Sequence, residues 1–260
     1  MPAGDVERVH AGPPSLLRPV VDSSSWWSLA LGAARVALVP FARLRVSGDV
    51  PVPLRGGPLI LAANHISPID PAVLMAACRA RGVAPRFLAD AAVFRLRSVG
   101  WLVRRTGHVP VARGTATVTD ALGDAAAAVE AGAVVLVYPE GRIGLDPGFW
   151  PEKGKTGTAR LALLSGAVVI PVAQWGTHEL VPYSAPKGAV RGLLRAMRHR
   201  PTVHVRFGAP LRVTGTAREA TEQIMAAITA TLAPLRAAEP DRPNHVDPTR
   251  PLSTSRTRPR

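Results

Sequence analysis

The sequence is short of acid. Across 260 residues, 18 aspartates and glutamates stand against 32 lysines and arginines, a formal charge of +14. An anionic partner is therefore expected: nucleic acid, an anionic membrane surface or phosphorylated small molecules. Aromatic residues are scarce too, at 5%, which argues against nucleic acid, whose binding modules add stacking platforms or a reading helix. The single cysteine, Cys78, excludes an internal disulfide framework and a cysteine-based zinc site, and its expected role is a small buried side chain on a helix. No apolar run reaches the roughly 20 residues of a spanning helix. The longest, residues 26–42, is interrupted by Arg35 and Pro40. The N-terminal stretch lacks the basic, apolar, small-residue succession of a secretory signal, so a cytoplasmic location is expected.

What is present is enough apolar sequence for one substantial core, 47% hydrophobic against 19% charged. Short β-branched runs at 44–48, 58–63, 84–89, 108–113, 133–138, 167–174 and 202–207 alternate with helical patterns. That alternation predicts an α/β fold, a single domain with a mixed, largely parallel sheet flanked by helices. Helices are expected from Asp70 to Ala80, over 117–130 with Gly132 as cap, over 158–165 closed by Gly166, and over 216–232 ended by Pro234. Residues 1–24 read as a loose leader, 25–235 as the folded domain, and 236–260, rich in proline and arginine, as a disordered tail.

Two segments bear on the anionic partner. Residues 26–42, with paired Trp26 and Trp27 at the start and Arg35, Arg43 and Arg45 nearby, fit a helix lying in a membrane interface; a helix packed on its own core fits equally well. In 187–200, Arg191, Arg195 and Arg198 recur at helical spacing and share one face. A solvated face accounts for them, and so does an anionic surface that relieves their mutual repulsion.

The most informative stretch is NHISPID, residues 64–70. A strand delivers His65 to a loop, and Pro68 disfavours helical geometry at Ser67, so a turn can fold Asp70 back toward the imidazole. A carboxylate there would set the ring tautomer and stabilise the imidazolium formed when His65 removes a hydroxyl proton. Asp70 followed by Pro71 also suits the start of a helix, so a purely structural role stays open. Later, GKT at 154–156 imitates the end of a phosphate-binding loop, but five residues rather than four separate Gly148 from Gly154 and no strand leads in, so nucleotide hydrolysis is not expected.

Asn64, His65, Ser67 and Asp70 match Asn-His-x-Ser-x-x-Asp, the first motif of the glycerolipid acyltransferase superfamily, which the chain resembles. Its second motif is similar to GHVPVARG, with Gly107, Pro110 and Arg113. Its third, Phe-Pro-Glu-Gly-Thr-Arg, resembles YPEGRI, with Pro139, Glu140 and Gly141 retained; Arg142 stands at the usual threonine and Ile143 at the usual arginine. A lysine-and-glycine segment follows at Lys155, Thr156 and Gly157, and then an Ile-Pro-Val strand containing Pro171. The four ordered motifs span about residues 40–210.

The resemblance implies a glycerol-3-phosphate acyltransferase-like fold and transfer of a fatty acyl group from acyl-CoA or acyl carrier protein to the hydroxyl of lysophosphatidic acid in phospholipid biosynthesis. His65 would be the base, assisted by Asp70. Substrate-binding positions would be Asn64, Ser67, Arg113, Glu140, Gly141, Arg142, Lys155, Thr156 and Gly157. Taken singly, Arg113 and Lys155 also fit surface salt bridges. Such chemistry needs no metal and no cofactor besides the donor. The expected partners are an anionic membrane surface at the cytoplasmic face, the donor and a lysophospholipid, with no nucleic acid. Another lysophospholipid, glycerol 3-phosphate or a glycolipid is the alternative acceptor. The rival class is a noncatalytic basic protein that binds membranes or nucleic acid.

Overall fold

The alternating pattern folds as one seven-stranded sheet between two helical layers, in a computed structural model that describes residues 24–55, 57–90, 109–111, 117–183 and 188–237. In chain order the elements are α1 (Ser24–Leu38), β1 (Arg43–Ser47), β2 (Leu59–Ala63), α2 (Asp70–Ala80), β3 (Arg86–Asp90), β4 (Val109–Val111), α3 (Thr117–Glu130), β5 (Val134–Val137), α4 (Gly157–Ser165), β6 (Val168–Trp175), the short α5 (Thr177–Leu180), α6 (Ala189–His199), β7 (Thr202–Phe207) and α7 (Ala217–Arg236). A 3-10 turn, Val52–Leu54, precedes β2.

The strand order is β1-β7-β6-β2-β5-β3-β4, and every pairing is parallel except β6 with β7. The central strands β2 and β6 are buried at every residue, which is why they read as unbroken apolar runs rather than alternating ones. Leu59, Leu61 and Ala63 of β2 face the layer of α1, α2, α5 and α6. Ile60 and Ala62 face α3, α4 and α7. Pro171, which has no N–H for a ladder, falls where β6 leaves its bridge to Leu211 and begins to pair with β7 at Val172.

Most expected elements form within a residue or two, and two differ in ways that matter. The helix expected to reach residue 42 ends at Leu38, and Arg43 and Arg45 belong to β1, where their neighbours Leu44 and Val46, not they, pack on the core. The last helix does not stop at Pro234 but continues to Arg236. Packing outweighs the lost hydrogen bond: Arg236, assigned by composition to a disordered tail, is fully buried with its guanidinium 4.3 Å from the centre of the Trp150 ring and 4.4 Å from that of Trp175. Cys78 is buried as expected, and burial pushes its thiol far above the ordinary range. Residues 1–23 and 238–260, the expected leader and most of the expected tail, lie outside the described residues.

Candidate active site

The carboxyl ends of β2 and β5, paired side by side, set His65 and Glu140 within reach of one another. Asn64 alone separates His65 from the end of β2. Its Nδ1 lies 2.8 Å from Oδ2 of Asp70, whose side chain is fully buried while that of His65 is 16% exposed. Asp70 is the first residue of α2, yet its carboxylate turns back rather than capping the helix: the same Oδ2 accepts the backbone N–H of Ile66 at 2.6 Å and of Ser67 at 2.9 Å. These bonds tie the five-residue loop into a ring. With Nδ1–H donating to the carboxylate, the neutral imidazole carries its lone pair on Nε2, the nitrogen left for a proton from outside.

Glu140 holds the other side of the loop. It is 1% exposed; Oε1 accepts the N–H of His65 at 3.1 Å and Oε2 that of Glu152 at 3.0 Å. Burial raises its carboxyl from 4.5 to about 7, more than those two hydrogen bonds lower it, with Glu152 and Asp70 adding repulsion. Gly144 completes the clamp by donating to the His65 carbonyl at 2.7 Å. A side chain is excluded at Gly144, since an added Cβ would stand 2.8 Å from Oε2 of Glu140.

Tyr138 stacks on the imidazole, ring centres 4.1 Å apart and planes 17° from parallel. Burial pushes its phenol well above the ordinary range, so it meets His65 as a neutral plate.

The remaining motif residues divide by where their side chains go. Asn64 is fully buried and exchanges bonds with Gln174 of β6: Nδ2 donates to the Gln174 carbonyl, Oδ1 accepts its N–H, and the Gln174 amide donates to the Asn64 carbonyl, at 3.0, 2.8 and 2.7 Å. Ser67, also fully buried, donates its hydroxyl to the carbonyl of Val181 at 2.6 Å. Arg142 is half-buried and pairs with fully buried Glu152 at 3.0 Å, whose other oxygen accepts the N–H of Leu145 at 2.7 Å. Asn64, Ser67 and Arg142 thus bond within the chain, although the motif alone suggests substrate ligands.

Lys155 donates its backbone N–H to the Pro139 carbonyl at 2.8 Å, and its aliphatic chain runs over Gly141. Gly141 has φ +69°, a backbone conformation that favours glycine, and the Lys155 side chain packs close over it. Lys155, Thr156 and Gly157 are exposed at the start of α4, which a loop and not a strand precedes. Pro110 lies on β4; Gly107 and Arg113 are outside the described residues.

Tyr138, Gln174, Glu152 and Gly144 belong to this cluster without having been expected. Gln174 alone left a trace in the sequence, as a polar residue inside an apolar strand. Among the described residues no group of three or more histidines, cysteines and carboxylates is arranged to hold a metal. A cleft of about 600 Å³ between the start of α4 and α7, lined by Lys153, Gly154, Thr156, Arg218, Thr221 and Glu222, contains none of the residues around His65.

Residues 43–175, just over half of the chain, match the family model described as Acyltransferase. The chain is 26% identical over 169 residues to a chloroplastic 1-acyl-sn-glycerol-3-phosphate acyltransferase of Brassica napus, covering 65% of this chain and 47% of that protein. It is 28% identical over 221 residues to a lyso-ornithine lipid O-acyltransferase of Pseudomonas aeruginosa, covering 80% and 79%. The crystal structure of the 1-acyl-sn-glycerophosphate acyltransferase PlsC from Thermotoga maritima superposes with a TM-score of 0.66 at 21% identity, over 83% of this chain and 81% of that one. The chain spans about half the length of the plant relatives it matches.

Proposed function

From the premise that the chain belongs to the acyltransferase family, we propose that it transfers a fatty acyl group from acyl-CoA or acyl carrier protein to the hydroxyl of lysophosphatidic acid. The observation that carries this reading is the His65–Asp70 pair: a part-exposed imidazole whose Nδ1 is 2.8 Å from a fully buried carboxylate. His65 Nε2 takes the proton of the acceptor hydroxyl as the oxygen attacks the thioester carbonyl. The tetrahedral oxyanion collapses, the carbon–sulfur bond breaks, and the imidazolium returns its proton to the thiolate. Atoms and charges balance between the two substrates, so the step needs neither metal nor cofactor. Asp70 stabilises the imidazolium and holds the tautomer.

Glu140, Asn64 and Ser67 act through the backbone they hold, as positioning residues for the loop. Lys155 at the start of α4, with Arg113, would hold the acceptor phosphate, as charge-assisted donors suit a phosphate oxygen. Gly141 lets the Lys155 side chain lie close over the turn after β5, and Thr156 and Gly157 offer N–H groups at the helix start.

A second reading, a lyso-lipid acceptor without a phosphate, is favoured by one observation. Arg142, the cation nearest the position where the family carries arginine, pairs with Glu152, and Ile143 stands at that position. The Pseudomonas relative is named for such an acceptor.

The enzyme would work at the cytoplasmic face of the membrane. No helix among the described residues is long and apolar enough to cross a bilayer. α1 buries Trp27, Leu31 and Leu38 yet leaves Leu29 and Val36 exposed, as is Val39 just past its end, and a helix apolar on both sides suits an interface. Thiol release from acyl-CoA, measured with lysophosphatidic acid and with lyso-ornithine lipid as acceptors, tests the reading. Activity with either that vanishes in a folded His65→Ala variant supports it, and normal turnover by that variant would sink it.

A further inference from the structure

Helix α6 is built inside out with respect to size. The two residues it buries are small, Gly192 and Ala196, and Ala189 and Leu193 are half-buried beside them. Its large apolar residues face outward, Val190 at 69%, Leu194 at 60% and Met197 at 47% exposure. At spacings of four and three these form one stripe along the helix, and Arg191, Arg195 and Arg198, each one position later, form a second stripe beside it. None of the three arginines makes an ion pair or hydrogen bond among the described residues. Along the chain the sequence holds no aspartate or glutamate between Glu179 and Glu219.

The inward face is tight enough to hold these stripes outward. A Cβ added to Gly192 would stand 2.5 Å from the carbonyl oxygen of Leu180, so the backbone of α6 rests directly on the segment after α5. That segment also contacts the candidate site, through the Ser67 hydroxyl on Val181. α1, with its own exposed Leu29 and Val36, packs into the same side of the sheet.

We propose that α6 is a docking element for anionic lipid bilayers, lying in the plane of the membrane with Val190, Leu194 and Met197 among the acyl chains and Arg191, Arg195 and Arg198 against the phosphates. A solvated basic helix has no use for three exposed large apolar residues on one stripe. A nucleic-acid backbone would take the arginines and leave that stripe in water, whereas a bilayer takes both. The inference stands apart from the acyltransferase reading, since it concerns where the chain binds and not what it turns over.

Flotation of the full chain with vesicles of phosphatidylcholine and phosphatidylglycerol, against phosphatidylcholine alone, tests it. Each arginine at an anionic surface is worth roughly five-fold in partitioning, so Arg191→Gln/Arg195→Gln/Arg198→Gln should bind about a hundred-fold more weakly. Leu194→Gln/Met197→Gln should remove the part of the binding that survives high salt. Arg160→Gln/Arg218→Gln, which removes exposed charge from α4 and α7 on the opposite side of the sheet, should lose far less than the triple variant. His65→Ala should bind as the parent does, separating docking from turnover. Absent binding by the parent chain, α6 variants that bind like it, or an Arg160→Gln/Arg218→Gln variant that loses as much as the triple would each overturn the proposal. So would DNA-duplex binding that falls with the triple variant while vesicle binding stays.

Discussion

Glu140 touches His65 through the backbone: Oε1 receives the histidine N–H at 3.1 Å, while Oε2 receives that of Glu152 at 3.0 Å. The carboxylate is a buried staple joining the loops that follow β2 and β5. The ionised form accepts both bonds more strongly, whereas burial raises the group from 4.5 to about 7. Function and stability therefore respond to pH in opposite directions.

The sign follows from which state binds the proton more tightly. With its carboxyl raised, the folded chain holds the Glu140 proton up to about pH 7 and the unfolded chain releases it near 4.5. Stability should fall between those values, by on the order of 3 kcal/mol, and level off above. Activity should rise through about pH 7 as the staple ionises. Glu140→Gln should flatten the change in stability across this window in denaturant titrations. It should also cost about ten-fold or more in kcat/KM, because the amide NH2 opposes one of the two N–H groups.

Asp70→Asn keeps the size of the side chain and removes the charge that stabilises an imidazolium. It should lower kcat by about 10²- to 10⁴-fold with KM for the thioester little changed. Proton NMR of the imidazole should show an altered tautomer. Unchanged kcat would mean that Asp70 serves only the loop amides of Ile66 and Ser67.

Asn64 and Gln174 form a reciprocal pair between β2 and β6, sealed from water. Asn64→Ala leaves a buried donor and a buried acceptor of Gln174 unmet, at about 1–3 kcal/mol each. Urea denaturation should show a loss in that range or above. Gln174→Ala keeps the backbone groups that the Asn64 side chain bonds and should cost less, the one bond from the Gln174 amide to the Asn64 carbonyl. A loss from Asn64→Ala no larger than that from Gln174→Ala would contradict the pairing.

Arg236→Ala removes the buried side chain that fills the space between Trp150 and Trp175. Thermal denaturation should register a loss of about 3 kcal/mol or more. Arg236→Lys should rescue only part of it, since an ammonium cannot stack between two indoles as a planar guanidinium does.

The sheet and helices were legible because they rest on local pattern. Apolar runs such as 202–207 and periodic stretches such as 117–130 carry their own period, and Gly132 and Gly166, both at positive φ, mark real helix ends. NHISPID was legible for the same reason, since His65 and Asp70 meet within one turn. Contacts across long stretches of chain left no such mark. His65 reaches Glu140 over 75 positions, Asn64 reaches Gln174 over 110 and Arg236 reaches Gly148 over 88.

The sequence by itself determined the α/β alternation, the His65–Asp70 turn and the excess of positive charge, each set by neighbours in the chain or by composition. Tertiary structure decided the rest. It turned Asn64 and Ser67 inward, set Arg142 on Glu152, made Glu140 a staple for the His65 backbone, drew Arg236 out of an expected tail and faced the large residues of α6 outward. A residue's period says which face it occupies; what covers that face depends on segments folded from far away, where burial and pairing energies outweigh local preference.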